Sequence, residues 1–306
     1  MFRAPFILCF VSCLLLTVSS PAEEVTKVPV TPDLVDVGDF GSDTPAERAD
    51  MPSRGVIAIK VEEDDKTYVA KEHWEEYNFS FKAKRWGKYA VRITYTLKSS
   101  SLGVQFKLGE SRFKKQIPGG DESSRHAWLG DIYLANAGDQ SMALYTPNHM
   151  AWDSFILHEI ALVPAPEGEL VRQSDDGTVQ MPAKDATTWS ENMRYEPKPE
   201  KNCLGFWTDP QDFAEWEFKM NQPGKYQVIV HQGSNGGGSE VTIQFGEQQL
   251  KFSVQNTGDF HKHTPVPVGV ITVNKSGTYR LAIKPQGKNG KAIMDVGKVE
   301  LKPVSN

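Results

Sequence analysis

Apolar and polar residues alternate along most of the chain with a period of two. This alternation is typical of β-strands, because successive side chains of a strand point to opposite faces of the sheet. No run of ten or more residues shows the 3.6-residue period of an amphipathic helix. The clearest alternating runs cover residues 89–97, 104–108, 226–230, 241–245 and 279–283. The pattern therefore predicts an all-β protein.

Glycine and proline divide these runs into short, evenly spaced segments. Pro223-Gly224, Ser276-Gly277 and Asn289-Gly290 are turn signals between apolar runs. Strands of this length with regular turns are typical of two-sheet sandwiches and jelly rolls.

The two halves of the chain share one sequence pattern. Gly87-Lys88-Tyr89 matches Gly224-Lys225-Tyr226 at an offset of 137 residues. Further along the chain the offset becomes 139, which aligns residues 160–164 with 299–303. The matched positions are Gly87 and Gly224, Gly130 and Gly269, Gly138 and Gly277, and Pro164 and Pro303. The alternative is that all β-sandwiches share such a pattern at this level of detail.

The repeat predicts two tandem jelly-roll or galactose-binding-like β-sandwiches. The first is expected over residues 55–166 and the second over residues 167–306, with the division near the segment 164-PAPEGE-169. A chain of 306 residues has room for two domains of this size.

The first 22 residues have the order of a secretory signal peptide. Arg3 precedes an apolar run, which is followed by small residues and a cleavage position after Ala22. A membrane anchor is the alternative, but the run is shorter than the roughly 20 apolar residues that span a bilayer. Residues 23–54 are rich in Pro, Asp, Glu and Thr and are expected to form a flexible leader. We therefore expect a secreted, periplasmic or cell-surface protein without a membrane span after signal removal.

Composition narrows the possible partners. The chain is 39% hydrophobic and 10% aromatic, which is enough to fill two cores. The net charge is −5, and no run of Lys and Arg suggests a nucleic-acid surface. Cys203 is the only cysteine beyond the predicted signal peptide, so we expect no intramolecular disulfide.

The second half carries motifs of a known module. They are Arg194-Tyr195-Glu196, Gly205-Phe206-Trp207-Thr208, Phe213-Ala214-Glu215-Trp216, Pro223-Gly224 and Met294-Asp295. Residues 175–304 resemble the galactose-binding-like β-sandwich attached C-terminally to bacterial alpha-L-fucosidases and to sulfatases. The first half matches only through the internal repeat, and its counterpart of Asp295 is Ile156.

The resemblance implies a carbohydrate-binding site in the second half. A tryptophan ring can stack on the apolar face of a sugar while charged side chains bind its hydroxyls. The candidate ligand-binding residues are Trp189, Arg194, Tyr195, Glu196 and Trp207, with Trp128, His149 and Trp152 in the first half. The alternative is that these rings cap the ends of the sandwich and that Arg194 and Glu196 form a structural ion pair.

Asp295 is the one candidate metal ligand. It directly precedes the last predicted strand, a place where related lectin-like sandwiches hold calcium with carboxylates and carbonyls. A single carboxylate without an acidic cluster is weak evidence for a metal, so the absence of a metal is the alternative. No other cofactor is expected.

No catalytic motif is found in the sequence. The chain lacks a Gly-x-Ser-x-Gly elbow and a Walker loop, and the acidic runs 62–65 and 175–176 are typical of exposed turns. We therefore predict a secreted, non-catalytic carbohydrate-binding protein whose partner is a glycan or polysaccharide. The alternatives are a cell-surface module that binds another envelope or secreted protein, and a glycoside, sulfate or acetyl-ester hydrolase accessory with an unrecognised site.

Overall fold

The computed structural model describes residues 51–62, 66–69, 74–147 and 154–304. The predicted signal peptide and nearly all of the predicted leader lie outside the described residues, as do His149 and Trp152. The described chain consists of β-strands, turns and loops, and the helical element within it is a 3-10 turn at Ala183–Asp185. None of its helices is long and apolar enough to cross a membrane.

Strands β1 to β9 build the first half and strands β10 to β21 build the second. The first nine are β1 Ile57–Lys60, β2 Lys66–Val69, β3 Trp74–Ala83, β4 Gly87–Leu97, β5 Ser101–Leu108, β6 Ser111–Pro118, β7 Asp121–Leu134, β8 Gly138–Pro147 and β9 Phe155–Pro164. The others are β10 Val171–Arg172, β11 Val179–Pro182, β12 Thr187–Trp189, β13 Arg194–Glu196, β14 Cys203–Gly205, β15 Phe213–Met220, β16 Gly224–Ser234, β17 Glu240–Phe245, β18 Gln248–Ser253, β19 Asp259–Val273, β20 Gly277–Pro285 and β21 Asp295–Pro303.

The two halves share a common core of sheet topology. In the first half the strand orders are β1-β9-β4-β7 and β2-β3-β8-β5-β6. In the second half they are β13-β14-β21-β16-β19 and β10-β15-β20-β17-β18, with β11 beside β21 and β12 beside β15. The order β9-β4-β7 thus corresponds to β21-β16-β19, and β3-β8-β5-β6 corresponds to β15-β20-β17-β18. The predicted fold class, two tandem all-β sandwiches, is confirmed; the boundaries at residues 55, 166 and 167 stay predictions.

Each half fills its own core from alternate positions of its strands. On β4 the residues Tyr89, Ile93 and Leu97 are buried in the first core. On β15 the side chains of Trp216 and Phe218 are fully buried in the second core, as expected for residues two positions apart on one strand. The period-two pattern of the sequence therefore corresponds to one inward-facing side of each strand.

A β-bulge is repeated in both halves. The register of β4 against β7 shifts after Val91, which pairs with Gly130. The register of β16 against β19 shifts after Val228, which pairs with Gly269. These two glycines occupy matching positions of the sequence repeat, so the duplication includes this irregularity of the sheet.

Gly237 lies in the loop between β16 and β17, where the backbone packs too closely to leave room for a Cβ atom. Its φ is +69°, and a Cβ there would lie 2.6 Å from the Asn256 backbone nitrogen. Gly246 has a similar φ of +56° but open space around it. Because the backbone strain is comparable, Gly237→Ala should cost about 1–3 kcal/mol more unfolding free energy than Gly246→Ala. Urea unfolding of both variants measures the difference, and equal costs would contradict the packing described.

Candidate functional site

The turn between β3 and β4 packs against the second half. Arg85, in this turn, is buried and donates hydrogen bonds to the backbone oxygens of Ser190 (3.1 Å) and Thr188 (3.2 Å). The next residue, Trp86, meets the ring of Phe206 edge to face, with 6.1 Å between the ring centroids. Residues more than 100 positions apart in sequence therefore form a common junction between the halves.

Arg194 lies against both rings at this junction. Its Cζ atom is 3.5 Å from the centroid of Trp86 and 3.5 Å from the centroid of Phe206, as in a double cation–π contact. Its Nη1 donates to the backbone oxygen of Asn192 at 3.0 Å. The three side chains Trp86, Arg194 and Phe206 are called the junction patch below. It combines an aromatic surface with a guanidinium.

The backbone at Phe206 decides which ring of the Gly-Phe-Trp-Thr motif faces solvent. Phe206 has a φ of +60°, which is rare for a bulky residue. This conformation follows directly on β14, and the Phe206 side chain is 43% exposed. The next side chain, Trp207, is fully buried in the second core. The motif therefore presents a phenylalanine, not a tryptophan, to the solvent.

The two predicted tryptophans do not offer ring faces to a ligand. The Trp207 indole nitrogen donates to the backbone oxygen of Asp212 at 3.2 Å, inside the core. Trp189 is 4% exposed and packs against Phe213, with 6.2 Å between the ring centroids. Trp207 lies in the loop that follows β14, but its side chain points into the core while that of Phe206 points outward. Ligand contact by Trp207 and Trp189 stays a prediction, which their burial does not support.

The other predicted ligand-binding residues lie on β13. Arg194 and Glu196 are buried on one face of the strand, whereas Tyr195 is half-buried and its hydroxyl donates to Asn202 Oδ1 at 2.7 Å. The structural ion pair considered between Arg194 and Glu196 is not formed. Glu196 instead accepts a hydrogen bond from the Lys201 ammonium at 2.7 Å. Ligand contact by Tyr195 and Glu196 stays a prediction.

Glu167 adds a titratable carboxyl beside the junction. Burial raises its pKa to about 7, although the positive charges of Arg85 and Lys88 act in the opposite direction. Burial also raises the pKa of Tyr133 to about 12, helped by the negative charge of Glu167 and by Tyr195. Tyr133 is partly buried but keeps 38% of its surface exposed, so a second aromatic side chain near the junction reaches solvent.

Asp295 lies in a buried cluster with Glu196 and Cys203. One potential ligand atom from each residue lies within 4.8 Å of the others. The Cys203 thiol donates to Asp295 Oδ2 at 3.6 Å, and burial raises the pKa of that thiol. Burial, together with the negative charge of Glu196, raises the pKa of Asp295 to about 7.

This cluster does not fit the calcium ion considered for Asp295. Calcium binds six to eight oxygen atoms, whereas this donor set contains a protonated thiol and two carboxyls. One of the carboxyls, that of Glu196, is already paired with Lys201. The site therefore consists of two buried carboxyls that each have their own hydrogen-bond donor, Lys201 for Glu196 and Cys203 for Asp295.

The sequence indicated only part of this site. The sequence indicates Arg194 directly, whereas the motif Gly205-Phe206-Trp207-Thr208 does not show which of its two rings faces solvent. Trp86 precedes Gly87 in an ordinary turn, so nothing local distinguished it. In the first half Trp128 is half-buried, with the Arg92 guanidinium 6.0 Å from its ring centroid.

The fold and the junction together define a class, a pair of tandem β-sandwiches with an aromatic and cationic patch between them. A family model described as a domain of unknown function (DUF5077) matches residues 185–305. These residues fall within the region of the predicted fucosidase-type module. No curated protein matches the chain.

Several solved structures are similar in fold. The C-terminal family 6 carbohydrate-binding module of a marine laminarinase from Zobellia galactanivorans is 18% identical over 41% of this chain and 98% of the module, with a TM-score of 0.34. A Podospora anserina β-(1,4)-mannanase with a family 35 module is 18% identical over 38% of this chain and 29% of its own, with a TM-score of 0.31. An alpha-L-fucosidase from Vibrio sp. strain EJY3 is 14% identical over 78% of this chain and 39% of its own, with a TM-score of 0.30. The chain thus spans well under half of both enzymes, and these likenesses concern the fold alone.

Proposed function

We propose that the chain is a secreted, non-catalytic carbohydrate-binding protein that recognises a glycan or polysaccharide at the junction patch. The observation that carries the proposal is the exposed ring of Phe206, held on a left-handed backbone beside the Arg194 guanidinium. Its secretion rests on the signal peptide predicted from the sequence.

The conformation of Phe206 is costly without a ligand. A left-handed backbone at a non-glycine residue costs on the order of 1–3 kcal/mol and concentrates at functional sites. Leaving a phenylalanine ring in water forgoes in addition the stabilisation that burial would give. Both costs are offset if the exposed ring face binds the apolar face of a sugar.

The neighbouring groups suit sugar recognition. Such sites combine a few aromatic rings with a small number of polar side chains that bind hydroxyls. Trp86 and Phe206 supply rings and Arg194 supplies hydrogen-bond donors against them, while the Tyr195 hydroxyl lies on the opposite face of β13. All four side chains come from the turn at residue 86 and the segment 194–206.

The buried acid pair supports a non-catalytic function. A glycosidase needs two carboxyl groups that contact the substrate. Glu196 and Asp295 are instead buried, and they are engaged by Lys201 and Cys203. Neither carboxyl is therefore placed to contact a substrate at the surface.

Phe206→Ala should reduce glycan binding roughly tenfold, about 1.4 kcal/mol, because the stacking face is removed. Affinity electrophoresis in gels that contain different neutral and acidic polysaccharides measures the retardation. Val270→Ala is the matched control, since Val270 on β19 is also 43% exposed and lies outside the junction patch. Equal retardation of the parent and Phe206→Ala, or no retardation by any polysaccharide, would remove the proposal.

A further inference from the structure

Arg194 is a buried cation without a counter-ion. Its side chain is only 8% exposed, and its Nε atom has no hydrogen-bond partner. Its contact with protein oxygen is the bond from Nη1 to the Asn192 carbonyl. Within the part of the chain that the structure describes, no carboxylate forms an ion pair with it.

The surrounding charges act on Arg194 in both directions. The negative charge of Glu196 stabilises its charged form, whereas Arg85, which is also buried and donates to two backbone carbonyls, opposes it. The nearest acidic residue on the same strand, Glu196, is paired with Lys201. Burial lowers the pKa of Arg194 to about 10, so the guanidinium is still charged at neutral pH. An unpaired buried charge costs several kcal/mol, which a bound anion would recover.

Two aromatic rings pack against the guanidinium of Arg194. The centroids of Trp86 and Phe206 both lie 3.5 Å from its central carbon, and the two ring planes meet at 79°. The five N–H donors of a guanidinium lie in its plane, where they match the two oxygens of a carboxylate or a sulfate. The buried Nε donor, which lies in this plane, has no hydrogen-bond partner.

We infer that the ligand of the junction patch is an anionic saccharide, whose carboxylate or sulfate group pairs with the edge of the Arg194 guanidinium while a sugar ring lies on Phe206. The inference rests on the proposed carbohydrate binding and adds the class of sugar. The mild net charge of −5 does not favour polyanions, so the selectivity comes from the local arrangement of Arg194 and Arg85.

The first test needs only the parent protein. Binding is measured by affinity electrophoresis and calorimetry with polygalacturonate, with the same polymer after reduction of its carboxyl groups to alcohols, with dextran sulfate and with neutral dextran. We expect at least one anionic polymer to bind at least tenfold more tightly than its neutral counterpart. The difference between polygalacturonate and dextran sulfate decides between a carboxylate and a sulfate.

The second test uses matched charge variants. Arg194→Gln should lose at least tenfold in affinity for the anionic polymer, whereas Arg280→Gln should change it less than twofold. Arg280 pairs with Glu217 in the sheet of β15 and β20, so this control removes the same charge away from the junction. Arg194→Lys keeps the charge without the planar donors and should bind with intermediate affinity.

The outcomes separate this inference from the proposed function. If polygalacturonate and dextran sulfate bind no more tightly than their neutral counterparts, the assignment to an anionic saccharide is overturned, and carbohydrate binding itself stays intact. Equal losses in Arg194→Gln and Arg280→Gln would also overturn it, since the effect would then be one of net charge. Binding to none of the four polymers or of the other polysaccharides would remove both. If Arg194→Gln does not fold, the comparison of polymers on the parent still decides.

Discussion

Replacing Trp207 by alanine is expected to lower the free energy of unfolding by about 3–5 kcal/mol, the range for large aromatic side chains removed from a core. The indole is fully buried in the second core and donates to the Asp212 carbonyl. The backbone oxygen of Trp207 also accepts a hydrogen bond from the Ile293 nitrogen, which ties its loop to the segment before β21. The loss combines a cavity with an unpaired Asp212 carbonyl.

Guanidinium chloride unfolding, followed by tryptophan fluorescence and circular dichroism, measures this cost. Phe206→Ala is the matched control, because it removes the adjacent aromatic ring from a solvent-exposed position. We expect that control to change the unfolding free energy by less than about 1 kcal/mol. A loss of similar size in both variants, or a loss below 1 kcal/mol in Trp207→Ala, would contradict the orientation of the two rings.

The stability of the protein is expected to fall as the pH rises from about 4 to 7, and Asp295 is one cause. Its pKa is about 7 in the folded protein, against an ordinary value of 3.8. Between these values the folded state keeps the proton that the unfolded state releases, so the folded state binds more protons and stability decreases with increasing pH. A difference of about three pKa units corresponds to no more than about 4 kcal/mol.

Asp295→Asn should remove this part of the pH dependence. The amide is always neutral, so the variant should match the parent near pH 4 and be more stable than the parent near pH 8. Glu167, whose pKa is also raised to about 7, should still contribute to the pH dependence of the unfolding free energy in this variant. Asp176→Asn is the control, because hydrogen bonds with Ser174 and Thr178 lower the pKa of that exposed carboxyl. Urea unfolding between pH 4 and 8 measures the slopes, and an unchanged slope in Asp295→Asn would refute the assignment.

The candidate site was only partly predictable. The resemblance to fucosidase-type modules pointed to residues 194–208, and this segment does contribute Arg194 and Phe206 to the junction patch. It could not indicate Trp86, because that residue belongs to the other half and reaches Arg194 only when the two sandwiches pack together. Nor could it show that Glu196 pairs with Lys201 rather than with Arg194, because both cations lie within a few residues of Glu196 and Arg194 is the nearer of the two in sequence.

The sequence by itself determined the all-β class, the duplicated sandwich and the inward positions of its strands. These features follow from a local rule, the alternation of side chains along a strand, and from glycines and prolines that end each run. Only the tertiary structure decided which ring of Phe206-Trp207 faces solvent and where Arg194 finds its neighbours. The exposed ring is decided by a left-handed φ at Phe206, a backbone conformation that a phenylalanine disfavours. The neighbours of Arg194 are decided by contacts between surfaces that are distant in sequence.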